Sequence, residues 1–384
     1  MKIAVIGLYY ASNLGDAVIC DCVAAWLEKA YPAARIEVID IEGNKDLPVQ
    51  ETISALTRER RKWNLRRDQW LTKSGISDRI YYWSAAAIAS RLSFYDEVGR
   101  RGYDAAVFAG GQLFMDWLSL GVCELLKRFE KARVPVFFNA CGVGSSFSKQ
   151  IRECLARQLN SENIKLVSTR DDADTMEKRY FCGRKCVTPT YDPALWTKET
   201  YGQEHKECSV VGLGVMYSDH AGQHRITNFW LDVIRNLDLR NIEWKMFCNG
   251  SLEDYEYGCH VLKKAGRNPE GSILKCAASP RELTAQIAGF RSIISFRLHS
   301  HIIAASLGIP GIAVVWDDKL RFFYSRLGHP ERCATIEVSG KQIMSMLERA
   351  EAEGVNSEMI EKQKKYAKTI LLDSINQVIG YEQR

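Results

Sequence analysis

Two charged side chains in one short turn are the most chemically pointed feature of this sequence. Residues 292–316 read as an apolar strand that ends in Arg297-Leu298-His299, then a short helix, then a second apolar strand. An arginine grips a phosphate or carboxylate through two N–H groups, and an imidazole exchanges a proton near neutral pH. In doubly wound α/β folds, ligands bind beyond the carboxyl ends of the strands, where helix N-termini turn unbonded N–H groups toward anions. The spacing therefore predicts a site for an anionic, reactive substrate at this turn.

Other strand-end turns recur upstream. The first apolar run leads into Asn13-Leu14-Gly15-Asp16, where Asn13 and Gly15 allow a tight bend. Asp16 reads either as a helix cap or as a substrate-facing carboxylate, and the turn is not a G-x-G-x-x-G nucleotide fingerprint. Gly110-Gly111-Gln112 follows the run 105–109, and Gly142-Val143-Gly144 follows the next one. Such glycines let backbone N–H groups approach a ligand's oxygens, or they serve a turn that merely needs positive φ. The run 165–169 ends in Arg170, either the ion-pair partner of Asp171 or a neighbour, or a second anion clamp facing Arg297. Asp192, before Pro193, either orients a hydroxyl or caps its turn. His220 and His224 stand four residues apart, but Gly222 between them argues for a loop, so no metal is predicted.

Positioning these groups requires a parallel sheet. Short apolar runs at 2–8, 35–41, 104–109, 134–141 and 165–169 alternate with helix-compatible stretches. A second series follows at 209–215, 243–248, 272–277, 292–296 and 311–316, with helices at 227–237 and 252–264. This alternation is the rhythm of βαβ units. Between the two series, 191–208 carries a proline, a glycine and several charges and reads as a linker. The expected fold class is α/β, two Rossmann-like domains facing a cleft. Residues 1–195 form the first, expected on the acceptor side, 208–340 the second, expected on the donor side, and 341–384 supply C-terminal helices that pack on them.

Composition narrows the function classes. With 384 residues, 46% hydrophobic and 26% charged, the chain is long enough for two cores. A formal charge of +5, spread along the chain, does not call for nucleic acid as a partner. The 12 cysteines include Cys20, Cys141, Cys248 and Cys276 within apolar runs and show no paired C-x-x-C spacing, which reads as buried thiols. No signal peptide and no run of about 20 apolar residues is found, so a cytoplasmic location is expected. The segment 49–91 interleaves Arg58, Arg60, Arg61, Lys62, Arg66 and Arg67 with Trp63, Trp70, Tyr81, Tyr82 and Trp83. It reads as a solvated basic helix followed by an aromatic packing helix, or as a surface for an anionic acceptor or the inner face of a membrane.

Taken in order, these turns resemble the polysaccharide pyruvyl transferase family. The marks are Asn13-Leu14-Gly15-Asp16, Gly110-Gly111-Gln112-Leu113-Phe114, Cys141-Gly142-Val143-Gly144, Val167-Ser168-Thr169-Arg170-Asp171 and Asp192-Pro193-Ala194. The strongest is Phe296-Arg297-Leu298-His299-Ser300, followed by Leu307-Gly308-Ile309-Pro310 and Asp318-Lys319. Two positions depart from the pattern: Ala109 replaces a glycine before Gly110-Gly111, and Ala140 stands where a Gly-Gln-Gly-like turn would begin. The resemblance implies a fold similar to GT-B glycosyltransferases, phosphoenolpyruvate as donor, a glycan or lipid-linked sugar as acceptor, and no cofactor. It also implies that Arg297 and Arg170 hold the donor and His299 moves the proton. Leu298, Ser300, Asn13, Gly15, Asp16, Gly110, Gly111, Gln112, Gly142, Asp192 and Lys319 then line the substrates. Two other readings share the architecture: a nucleotide-sugar glycosyltransferase, and a non-catalytic polysaccharide-assembly protein.

Overall fold

A computed structural model describes residues 1–47, 77–144, 148–217 and 222–380. Most of the basic and aromatic segment 49–91 lies outside the described residues, as does His220.

The chain divides into two compact units: Met1–Tyr10, Ile19–Pro193 and Lys365–Arg384 form one, and Ala11–Val18 with Ala194–Lys364 form the other. The division falls inside the 191–208 stretch, yet two segments cross it. The loop carrying Asn13, Gly15 and Asp16 belongs to the second unit, and the end of the last helix, Ser357–Ile379, belongs to the first.

In the first unit, six parallel strands are ordered β2-β1-β3-β5-β7-β8. They are β1 (Lys2–Gly7), β2 (Arg35–Asp40), β3 (Ala105–Phe108), β5 (Val136–Phe138), β7 (Ile164–Thr169) and β8 (Thr188–Pro189). β1 is buried almost throughout and β3 completely, because helices cover both faces; that burial explains why these strands are unbroken apolar runs. Phe108 and Phe138 stack at 4.5 Å in the core, with Phe114 against Phe138 at 5.2 Å.

The two glycine-rich turns of this unit prove to be strands. β4 (Gly111–Phe114) pairs in parallel with β6 (Cys141–Val143), Gly111 opposite Cys141. The chain turns between β5 and β6 at Ala140, whose φ of +51° is left-handed. For a residue with a Cβ that conformation costs about 1–2 kcal/mol, offset here by an N–H bond from Ala140 to Ser168 Oγ at 2.9 Å.

The second unit holds five parallel strands ordered β10-β9-β11-β12-β13. These are β9 (Val211–Gly214), β10 (Trp244–Phe247), β11 (Ser292–Ser295), β12 (Gly311–Val314) and β13 (Cys333–Ala334). The order reverses between β9 and β11, which pair from Ser292 opposite Val211 to Ser295 opposite Gly214. A doubly wound sheet opens its ligand crevice at such a reversal, beyond the carboxyl ends of the strands. Trp230 and Phe296 meet in the core at 5.6 Å.

The expected strand 272–277 is reduced to a bridge between Ile273 and Met246. It lies against β10 at the sheet's edge, its backbone bonds to β10 made around Met246, and the chain soon turns into the helix Pro280–Ala288 capped by Ser279. No disulfide joins any of the twelve cysteines, and Cys20, Cys141, Cys248 and Cys276 are buried.

Candidate active site

The switch point of the second unit carries the turn singled out at the start. β11 ends at Ser295, Phe296 is buried, and Arg297 is the N-cap residue of the helix Leu298–Ser306. His299 and Ser300 therefore lie in the first turn of a helix whose N-terminal N–H groups open toward the strand ends. Leu298 and His299 are buried, and Ser300 is fully so.

Arg297 is not a bare cation. Its Nε and Nη2 donate to Asp254 Oδ2 at 2.9 and 2.6 Å, and the Tyr217 N–H donates to Asp254 Oδ1 at 2.8 Å. Burial pushes the Asp254 carboxyl pKa up, while the guanidinium and the Tyr217 N–H pull it back down. A buried carboxylate so bonded fixes the plane of the arginine, and the guanidinium keeps further donors for an anion.

The loop Asn13 to Asp16 meets this turn within the same unit. The Leu14 N–H donates to the Asn249 carbonyl at 2.9 Å, and Ser300 Oγ donates to Asn249 Oδ1 at 2.8 Å. Asn249 thus ties the Gly15 loop to the His299 helix. Gly250 makes the bend possible: its φ is +95°, and a Cβ there would come within 2.5 Å of Leu14 Cγ. Asn249 Nδ2 and Asn13 Oδ1 are buried with no hydrogen-bond partner among the described residues. Such atoms are costly unless a water or a ligand completes them.

Asp16 does not cap the helix Leu14–Ala30. It lies inside the first turn, where Asn13 Nδ2 donates to its Oδ2 at 3.0 Å, because the helix already begins at Leu14. Gly15 is required by space, since a Cβ on it would overlap the His299 ring. Gly15→Ala therefore displaces the imidazole. The expected result is a protein that stays folded and loses about 1–3 kcal/mol of stability through overpacking. Urea melts read the loss, and wild-type stability in the variant would contradict this packing.

In the first unit, Arg170 ion-pairs with Asp192 rather than Asp171. Both are buried, so Asp192 compensates the guanidinium. Asp171 serves the backbone instead, its Oδ2 accepting from the Val143 N–H at 3.1 Å beside Gly142. Gly110, Gly111 and Gln112 enter or form the β4 strand. Lys319 lies 3.2 Å from Asp317 and over the Trp316 ring at 4.6 Å, so its charge is engaged by its own loop.

Asn249, Gly250 and Asp254 were missed in the sequence. They carried a usable signal, because Cys248-Asn249-Gly250-Ser251 follows β10 and opens the helix Leu252–Lys264, with Ser251 as its N-cap. His301 was also passed over. It is fully buried, its Nε2 at 2.9 Å from the Ser295 carbonyl and its Nδ1 at 2.8 Å from the Tyr324 hydroxyl. Nε2 donates to the carbonyl, and burial keeps the ring neutral by pulling its pKa down to about 4.

The unfolded state therefore binds a proton that the folded state refuses. Stability from His301 is complete above pH 6.5 and drains away as pH falls toward 4, by roughly 3 kcal/mol in all. His301→Gln should flatten the fall of the urea midpoint between pH 7 and 4; an unchanged slope would contradict the assignment.

Among the described residues, His329, Glu331 and Glu353 group with metal-ligand spacing, but Glu353 is already paired with Arg332 at 3.0 Å. No helix among the described residues is long and apolar enough to cross a membrane.

Two Rossmann-like units of parallel strands are the build of the GT-B fold, and known structures agree. The chain is similar to a putative UDP-N-acetylglucosamine 2-epimerase from Listeria monocytogenes, at 11% identity and TM-score 0.56, over 100% of this chain and 98% of that one. It is also similar to the UDP-GlcNAc 2-epimerase from Neisseria meningitidis bound to UDP-GlcNAc, at 10% identity and TM-score 0.53, over 98% and 100% of the two chains. These likenesses define the fold alone. No curated protein matches the sequence. The family model for polysaccharide pyruvyl transferase matches residues 13–318, a span that runs from Asn13 through the Arg297-His299 turn to Asp318. The chain belongs to the polysaccharide pyruvyl transferase family.

Proposed function

We propose that the protein transfers the enolpyruvyl group of phosphoenolpyruvate to two hydroxyls of a sugar in a cell-surface polysaccharide or its lipid-linked precursor, forming a pyruvate ketal and releasing phosphate. The observation that carries this reading is the oriented Arg297 and His299 pair at the second unit's switch point, with the Gly15 loop packed on the imidazole.

The donor presents a carboxylate and a phosphate on either side of its C2 carbon. Arg297, held by Asp254 through Nε and Nη2, offers its remaining nitrogen to one of these anions, and the first turn of the helix Leu298–Ser306 offers N–H groups to the other. His299 delivers a proton to C3 as the first sugar hydroxyl attacks C2, and the proton that hydroxyl gives up restores the imidazolium. The C2–O bond to phosphate then breaks, and the second hydroxyl closes the ketal, its proton leaving with phosphate. Asp16 and the Asn13 and Asn249 side chains orient the attacking hydroxyls. The reaction consumes no cofactor and needs no metal.

Thermal shift separates this reading from sugar-nucleotide transfer. Phosphoenolpyruvate at about 100 times its Kd should add about 2.7 kcal/mol of stability. Stabilisation by sugar nucleotides with none by phosphoenolpyruvate would overturn the proposal.

A further inference from the structure

One large side chain beside the proposed site is exposed without being loose. Trp316 follows β12 on the carboxyl edge of the second unit's sheet, the edge that also carries Asn249 after β10 and Arg297 after β11. It is 46% exposed, a large burial opportunity left unused. Its indole N–H nevertheless donates to the Phe296 carbonyl at 2.8 Å, the residue immediately before Arg297. Lys319 covers the ring with its ammonium 4.6 Å from the centroid and is itself held by Asp317 at 3.2 Å. The ring is thus fixed at its N–H edge and backed by a cation, so its exposure is carried by its remaining surface.

A rigid, half-open indole at a polar strand edge has a narrow range of partners. Exposed apolar area large enough for a protein or a membrane would be contiguous, whereas Trp316 is followed by Asp317 and Asp318 and its ring is covered by the Lys319 ammonium. A pyranose fits these constraints. One face of the sugar presents C–H groups that pack on the negative face of an aromatic ring, while its hydroxyls turn to the polar rim. Pre-fixing the indole removes the ordering cost that a mobile side chain would add on binding.

We infer that Trp316 is the platform on which the acceptor's pyranose ring stacks, setting its hydroxyls beside the Arg297-His299 turn; this rests on the pyruvyl-transfer reading. Trp316 is a positioning residue, and Lys319 supports it from behind instead of acting on the leaving group.

Saturation-transfer NMR with methyl β-D-galactopyranoside, methyl β-D-glucopyranoside and uridine tests the platform without relying on turnover. The wild-type protein should transfer saturation to pyranoside ring protons. Trp316→Ala should lose at least about tenfold of that signal, and Trp316→Phe, which keeps an aromatic face but not the N–H, should retain most of it. Stabilisation by phosphoenolpyruvate should be unchanged in both variants, which distinguishes this inference from the donor assignment. The inference is overturned if wild-type protein shows no pyranoside transfer, if Trp316→Ala keeps it, or if uridine alone reports on Trp316. It is also overturned if both variants lose phosphoenolpyruvate stabilisation, which would make the N–H bond to Phe296 the whole role of Trp316. Absence of phosphoenolpyruvate stabilisation in wild-type protein, with pyranoside transfer intact, would instead count against the donor alone.

Discussion

Replacing His299 with asparagine should cut acceptor-dependent phosphate release by about 10²–10⁴-fold, the usual contribution of one well-placed acid or base. The smaller, neutral amide keeps a polar atom near the position of Nδ1 without crowding Gly15, so the fold should hold. Arg297→Lys is the matching test of the clamp. Arginine bonds Asp254 with two nitrogens and retains another, whereas a lysine ammonium is a point charge that Asp254 will capture. The expected outcome is a folded enzyme with a raised KM for phosphoenolpyruvate. Alanine at 297 is the poorer choice, because it leaves the buried Asp254 carboxylate uncompensated and mixes stability with catalysis. Wild-type kcat/KM in folded His299→Asn would remove the histidine from the mechanism.

The largest stability effect should come from the first unit. Arg170→Met leaves the buried Asp192 carboxylate without its cation, and breaking such a pair costs about 3–5 kcal/mol. That is a large share of the roughly 5–15 kcal/mol that holds most proteins folded. The double variant Arg170→Met with Asp192→Leu removes both charges and should recover most of the loss in urea melts. The same double variant then separates two roles of Arg170. If it folds but phosphoenolpyruvate no longer stabilises it, Arg170 holds the donor as well as the domain; if the donor still stabilises it fully, the pair is architectural. Failure of the double variant to regain stability would mean that the pair is not an isolated unit.

Local pattern carried much of the fold. Runs such as 2–8 and 292–296 are apolar because parallel strands are buried on both faces, and a strand ending in a charged turn before a helix marks a sheet's carboxyl edge without reference to anything else. The Arg297-His299 turn was legible for that reason. Partners brought together by folding were not. Asp254 lies 43 residues from Arg297, and Asp192 rather than the adjacent Asp171 neutralises Arg170. Nothing in the periodicity of one segment reports which distant carboxylate will meet it.

The same limit hid the pairing of Gly111–Phe114 with Cys141–Val143, because each strand is too short to show an alternation. It also hid the transfer of Ala11–Val18 to the second unit, a consequence of Asn249 and Gly250 receiving Leu14. The segment 272–277 errs in the other direction: its apolar residues are those of an edge, and a single bridge to Met246 is all the pairing they make.

Mass spectrometry of cell-surface glycans and their lipid-linked precursors, incubated with the protein and phosphoenolpyruvate, tests pyruvyl transfer most directly. The account predicts an acceptor that gains the mass of one pyruvate less one water, with one phosphate released for each addition and both slowed by about 10²–10⁴-fold with His299→Asn. An acceptor that gains a sugar residue from a sugar nucleotide, and never a pyruvyl group from phosphoenolpyruvate, would contradict it.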